Sequence, residues 1–116
     1  MAMIRKTLLA AVLTAGCTLA FPAVAQETGL DQIHDQARQG GRTCMTSHFH
    51  YGSSSGQASK KLAETAAIND WRGFTAFEYG LPWGSWQLAA GKSLNCNNSG
   101  SSWGCNAEAR PCKRSR

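Results

Sequence analysis

The chain has no apolar run long enough to cross a bilayer: its one sustained apolar stretch, Thr7 to Phe21, falls short of the ~20 residues that a spanning helix requires. It has no internal repeat and no low-complexity tract, which excludes solenoids, propellers and disordered arrays. A concentrated charge is missing too. Of its twelve Lys and Arg, Arg5 and Lys6 precede the apolar stretch and Lys113, Arg114 and Arg116 follow the last cysteine, so residues 26–112 carry seven bases against seven acids. A nucleic-acid binder gathers its bases into a stripe on the folded surface, and a neutral body with a short basic end does not.

The first residues do read as an export signal. Arg5 and Lys6 supply a basic start, the stretch to Phe21 an apolar middle, and Ala23-Val24-Ala25 a small-x-small cleavage pattern, so cleavage is expected after Ala25. A competing reading makes Ala15-Gly16-Cys17 a lipoprotein processing site with Cys17 acylated, although Thr14 stands where such sites want a large aliphatic residue. Either route leads to the periplasm or outside the cell. In that oxidising compartment Cys44, Cys96, Cys105 and Cys112 are expected as two disulfides, each contributing ~2–4 kcal/mol to a domain too small for a large core.

Along the chain, residues 26–42 are polar, with Leu30, Ile33 and Ala37 as a thin stripe, and read as a linker or frayed helix. Thr43 to Tyr51 alternates and predicts one strand, with Met45, Phe49 and Tyr51 on the apolar face and Cys44, His48 and His50 on the other. Ser54 with Gln57 has the form of a capping box, opening a helix that stops at Tyr79 before Gly80 and Pro82. Its apolar face by helical count is Leu62, Ala63, Ala66, Ala67, Phe74 and Phe77. Residues 85–90 read as a further helical turn. Lys92 to Asn97 and Ser102 to Ala109 read as a hairpin; with Ser99-Gly100 at its tip, Cys96 does not face Cys105, and one of them reaches Cys44. Three cysteine pairings remain open. The expected fold is α+β: one strand and a C-terminal hairpin forming a small antiparallel sheet against one long helix, stapled by disulfides, over residues 43–112, with a basic tail at 113–116.

Few residues point to chemistry. His48 and His50, two apart on a strand, would share a face and could hold copper or zinc if a third ligand came from elsewhere. Either histidine with Ser53, Ser54 or Ser55 and Asp70 or Glu78 could compose a nucleophile, base and orienting acid, but the serine loop is the material of turns and caps. Asp70 falls on the apolar side of the helix, where a carboxylate must find a partner. Trp71 and Trp103 are expected in the core, and Trp83 and Trp86, beside a Pro-Gly bend, on the surface; with Asp70 they form the candidate ligand surface.

From Cys44 to Cys112 the chain resembles a group of small exported, disulfide-containing bacterial proteins of unknown function. The resemblance rests on His48-x-His50-Tyr51-Gly52, Ala67-Ile68-x-x-Trp71-x-x-Phe74, Glu78-Tyr79-Gly80-x-x-Trp83, Cys96, Trp103-x-Cys105 and Ala109-Arg110-Pro111-Cys112. It implies a disulfide-bearing exported domain and no catalytic residue. The expectation is therefore a binding or structural module of the periplasm or cell surface, with an envelope component or small ligand as partner. Copper or zinc binding through His48 and His50 is the first alternative. Contact of the tail with anionic surfaces is the second.

Overall fold

Pro111 marks the point where the chain passes from one sheet to another. The computed structural model describes residue 16 and residues 27–115, so Cys17, the cleavage site after Ala25 and Arg116 lie outside the described residues. Strands β1 (Gln36–Gln39), β2 (Arg42–Met45) and β6 (Cys112–Arg114) form one antiparallel sheet in the order β1-β2-β6. Strands β3 (His50–Ser53), β4 (Ala90–Ser99) and β5 (Ser102–Arg110) form a second in the order β3-β5-β4. Proline has no N–H for a ladder, so β5 ends before Pro111, whose carbonyl accepts from Met45 N at 3.0 Å as β6 begins on the other sheet. The fold is α+β, with two sheets where the sequence led us to expect one.

The predicted strand 43–51 is accordingly two strands in different sheets, broken at residues 46–49. Period-2 alternation survives such a break, which is why the pattern hides it. The faces of the second half are also inverted. His50 is 2% exposed and Tyr51 64%.

Helix α1 (Lys60–Tyr79) lies across the inner face of β3-β5-β4. Ser59, not Ser54, is its N-cap, accepting from Leu62 N; the stretch before it extends the sheet instead, with Gln57 and Trp103 exchanging both backbone hydrogen bonds. The stop at Tyr79 is as expected, with Gly80 at φ 105°. The buried residues are Ala63, Ala67, Trp71, Thr75 and Tyr79, while Leu62, Phe74 and Phe77 are exposed. Each i,i+4 step advances about 40° around a helix of 3.6 residues per turn, so a stripe built from them drifts and a fixed-face count misassigns its far end. The alanines let α1 sit close to Ala107 and Ala109 of β5. Closest of all is Gly52, where a Cβ would lie 2.3 Å from the Ala67 carbonyl oxygen.

The hairpin turns at Gly100-Ser101, one residue later than the sequence suggested, with Gly100 at φ 68° in the first central position where a primed turn demands it. Cys96 therefore faces Cys105 and bonds to it; Cys44 faces and bonds Cys112 across β2-β6. Both staples join directly opposed residues of neighbouring strands.

The ends are more ordered than their composition implied. The segment expected as a linker contains a 3-10 turn at Leu30–Ile33 and strand β1; within it Asp31 is buried, held by the Gln32 and Gln36 amides, while Leu30 and Ile33 face outward. Lys113 and Arg114, expected as tail, belong to β6, and Lys113 Nζ pairs with Glu27 Oε1 at 2.7 Å. Residues 85–90 form a turn leading into β4, and the short helical turn is instead a 3-10 turn at Leu81–Trp83. Among the described residues no helix is long and apolar enough to cross a membrane. Two disulfides are the chemistry of an oxidising compartment.

Candidate functional site

The outer face of β3-β5-β4 carries a row of polar side chains set by strand alternation and register. Tyr51 faces Glu108 and Ser53 faces Asn106, which in turn faces Asn95 on β4. Because Gly52 brings α1 against β3, Asp70 reaches the strand's open edge, and its Oδ2 accepts from Ser53 N at 2.8 Å. Asp70 is thus exposed and edge-capping; the expected burial on an apolar helix face does not occur. Together these residues line a cavity of about 210 Å³. Among the described residues the Tyr51 hydroxyl, Asp70 Oδ1, the Asn106 amide and the Glu108 carboxylate make no hydrogen bond within the protein. Their capacity is open to a ligand. The Cys96–Cys105 staple adjoins Asn95 and Asn106, so two of the lining residues sit on covalently joined strands.

A second constellation gathers all three histidines of the chain. His50, on the inner face of β3, places Nδ1 2.9 Å from Thr75 Oγ1 and Nε2 3.2 Å from the Tyr79 hydroxyl and 3.1 Å from Glu78 Oε2. Tyr79 also lies 2.9 Å from His34 Nε2, and His34 stacks on His48 with ring centroids 3.8 Å apart. Burial, then the neighbouring His48 and His34, push His50 down to about 4. Burial and then His34 also lower His48, against the pull of Glu78. Burial, followed by the Glu78 carboxylate, lifts Tyr79 to about 12. The Tyr79 hydroxyl thus lies within hydrogen-bond reach of His50 Nε2 and His34 Nε2, with the Glu78 carboxylate as a further partner. This network ties β3, α1 and the first 3-10 turn together.

His48 and His50 do not share a strand face: His48 lies in the bend before β3, and its ring meets that of His50 edge-on at 5.1 Å. Among the described residues no three His, Cys, Asp or Glu side chains are arranged to hold a metal ion. The other candidate ligand residues separate. Trp83 is fully buried, a correction to its expected surface position, and its Nε1 has no hydrogen-bond partner among the described residues. Trp86 is half-buried, packs edge-on against Trp71 at 5.3 Å and walls an open groove with Asn69, Arg72 and Gln87. Trp71 is in the core as expected, and Trp103 packs partly buried against it.

Gly52-Ser53-Ser54-Ser55-Gly56 has the letters of a nucleophile elbow, Gly-x-Ser-x-Gly. The structure gives Ser54 other work. Its hydroxyl donates to the Ala63 carbonyl at 2.6 Å and accepts from Cys105 N at 3.1 Å, bracing α1 to β5. Asp70 and His50, the supposed partners, are engaged with Ser53 N and Thr75. Sequence reasoning missed Tyr51, Asn95, Asn106 and Glu108; a two-residue alternation of polar side chains along β4 and β5 was the signal available.

Comparison with protein-family profiles, with curated proteins and with solved structures finds no match to this chain.

Proposed function

We propose that this protein is an exported, disulfide-stapled binding module that takes a small polar ligand on the outer face of β3-β5-β4. The observation that carries this reading is the cavity in which Tyr51, Ser53, Asp70, Asn95, Asn106 and Glu108 converge from three strands and a helix with unused hydrogen-bonding capacity. Binding sites are concave and built on rigid elements with a few convergent polar groups, and this cavity meets that description. Trp86 is a poorer candidate because one side of its ring is spent against Trp71. The role assigned is recognition within the periplasm or at the cell surface. Amide chemical-shift mapping of the oxidised protein against a panel of sugars, amino acids and divalent cations tests it. Saturable shifts at residues 51–53, 95 and 106–108 support the reading, and a silent panel rejects it.

Copper or zinc binding is a second reading, favoured by the convergence of His34, His48 and His50 around Tyr79. Ligation there must break the Tyr79 hydrogen bonds to His34 and His50, so the metal competes with the fold. Calorimetric titration decides it: equal heats from the wild type and a His34→Ala, His48→Ala variant end this reading.

A further inference from the structure

We infer that the ligand of the outer-face cavity is a saccharide, with one neutral or amino-substituted ring seated beside Tyr51. The inference rests on the binding-module reading and adds the ligand's chemistry.

Size comes first. A cavity of about 210 Å³ is below the ~300 Å³ at which drug-sized pockets begin and holds roughly seven waters at ~30 Å³ each. That is room for a single ring. Neighbouring strands stand ~4.8 Å apart and same-face residues along a strand ~6.8 Å apart, so the polar ends of Ser53, Asn106 and Asn95 in one row, and Tyr51 and Glu108 in the next, frame an opening of ring dimensions.

The lining then selects the chemistry. Glu108 and Asn106 end in planar groups whose two polar atoms are both unengaged and can bridge two adjacent hydroxyls of one ring, and Asp70 Oδ1 and Asn95 Oδ1 add two further acceptors. Tyr51, 64% exposed, offers a ring face to the apolar C–H side of a sugar and a hydroxyl at its far end. No Lys, Arg or His lines the cavity. A phosphate or a lone carboxylate would therefore meet Asp70 and Glu108 uncompensated, which argues against nucleotides and acidic sugars, whereas an ammonium group would be welcomed. A bound metal cation would need its oxygens drawn into one shell, and here they are spread over three strands and a helix.

The test is titration of the oxidised protein with glucose, glucosamine and glucuronate, read by amide shifts. Glucose and glucosamine are expected to move the Ser53, Asn95 and Asn106 signals saturably, with glucuronate the weakest of the three. Tyr51→Ala, an exposed change that leaves the core intact, should weaken glucose binding about tenfold, while Tyr51→Phe retains most of it. Glu108→Gln should raise glucuronate affinity towards that of glucose. Sugars without effect, while calcium or an amino acid shifts the same signals, overturn the saccharide assignment and leave the binding module standing. Unchanged glucose affinity in Tyr51→Ala also overturns it. If no member of the panel perturbs the cavity, both readings fall.

Discussion

His50 Nδ1 lies 2.9 Å from Thr75 Oγ1, and the proton between them belongs to the imidazole, because the Thr75 hydroxyl donates its own to the Trp71 carbonyl 2.7 Å away. The carbonyl of His50 in turn accepts from Trp71 Nε1 at 3.0 Å. The β3 edge and α1 are thus joined by a closed loop of hydrogen bonds, and each partner's state fixes the next.

A first prediction concerns pH. The folded protein holds His50 at about 4, below the 6.5 of a free histidine. Above pH 6.5 neither state carries the proton and stability is unaffected. Between 6.5 and about 4 the unfolded chain takes up a proton that the folded one refuses, so stability falls as pH falls, by roughly 3 kcal/mol in all. Ring-proton NMR of folded protein should show His50 titrating near 4; titration near 6.5 contradicts the buried, neutral assignment.

The second prediction compares two indoles. Trp71 Nε1 reaches the His50 and Ala109 carbonyls, whereas Trp83 Nε1, equally buried, reaches none. Trp71→Phe leaves two buried carbonyls without that donor, while Trp83→Phe removes an unmet one. Urea denaturation should find Trp71→Phe the costlier by about 1–3 kcal/mol. Equal costs would show that ring volume alone sets the penalty.

The third prediction uses two glycines. At Gly52 a Cβ would lie 2.3 Å from the Ala67 carbonyl oxygen and 2.4 Å from Trp71 N, both backbone, so α1 must lift off β3. Gly52→Ala should cost roughly 3 kcal/mol and shift the Asp70–Ser53 contact that shapes the cavity. Gly73, inside α1 with nothing within 4 Å of its missing Cβ, should gain about 0.5–1 kcal/mol when changed to Ala. A mild Gly52→Ala would mean that α1 is not seated as closely as the geometry states.

The same close approach explains what could be read from sequence and what could not. The helix end at Tyr79-Gly80, the hairpin and the staple-forming cysteines are local signals and were legible. His50 and Tyr51 exchange their expected faces because burial in β3 is decided by α1, a partner distant in sequence: His50 can be buried once Thr75 and Tyr79 satisfy it, and Tyr51 is left outside. Asp70 looked misplaced only while the helix was assumed to bury one fixed face. The cavity was illegible because its members come from β3, α1, β4 and β5, and only the one-residue register of the hairpin tip brings Asn95 opposite Asn106. That same residue decided the cysteine pairing.

The last prediction separates the two staples. Cys44–Cys112 spans 68 residues and Cys96–Cys105 spans 9, so restricting the unfolded chain is worth about 4 kcal/mol for the first and ~3 kcal/mol for the second. Replacing Cys44 and Cys112 by serine should therefore lower the urea midpoint further than replacing Cys96 and Cys105. The order reverses for ligand recognition. The short staple adjoins Asn95 and Asn106, whereas the long one lies in the other sheet, so only loss of the short staple frees the lining strands to move and adds an ordering cost to binding. Glucose titration of both double variants, at a temperature where each is folded, checks this. Weaker binding in Cys96→Ser, Cys105→Ser alone is the expected result, and equal weakening in both would mean that the cavity depends on global stability rather than on the strands that line it.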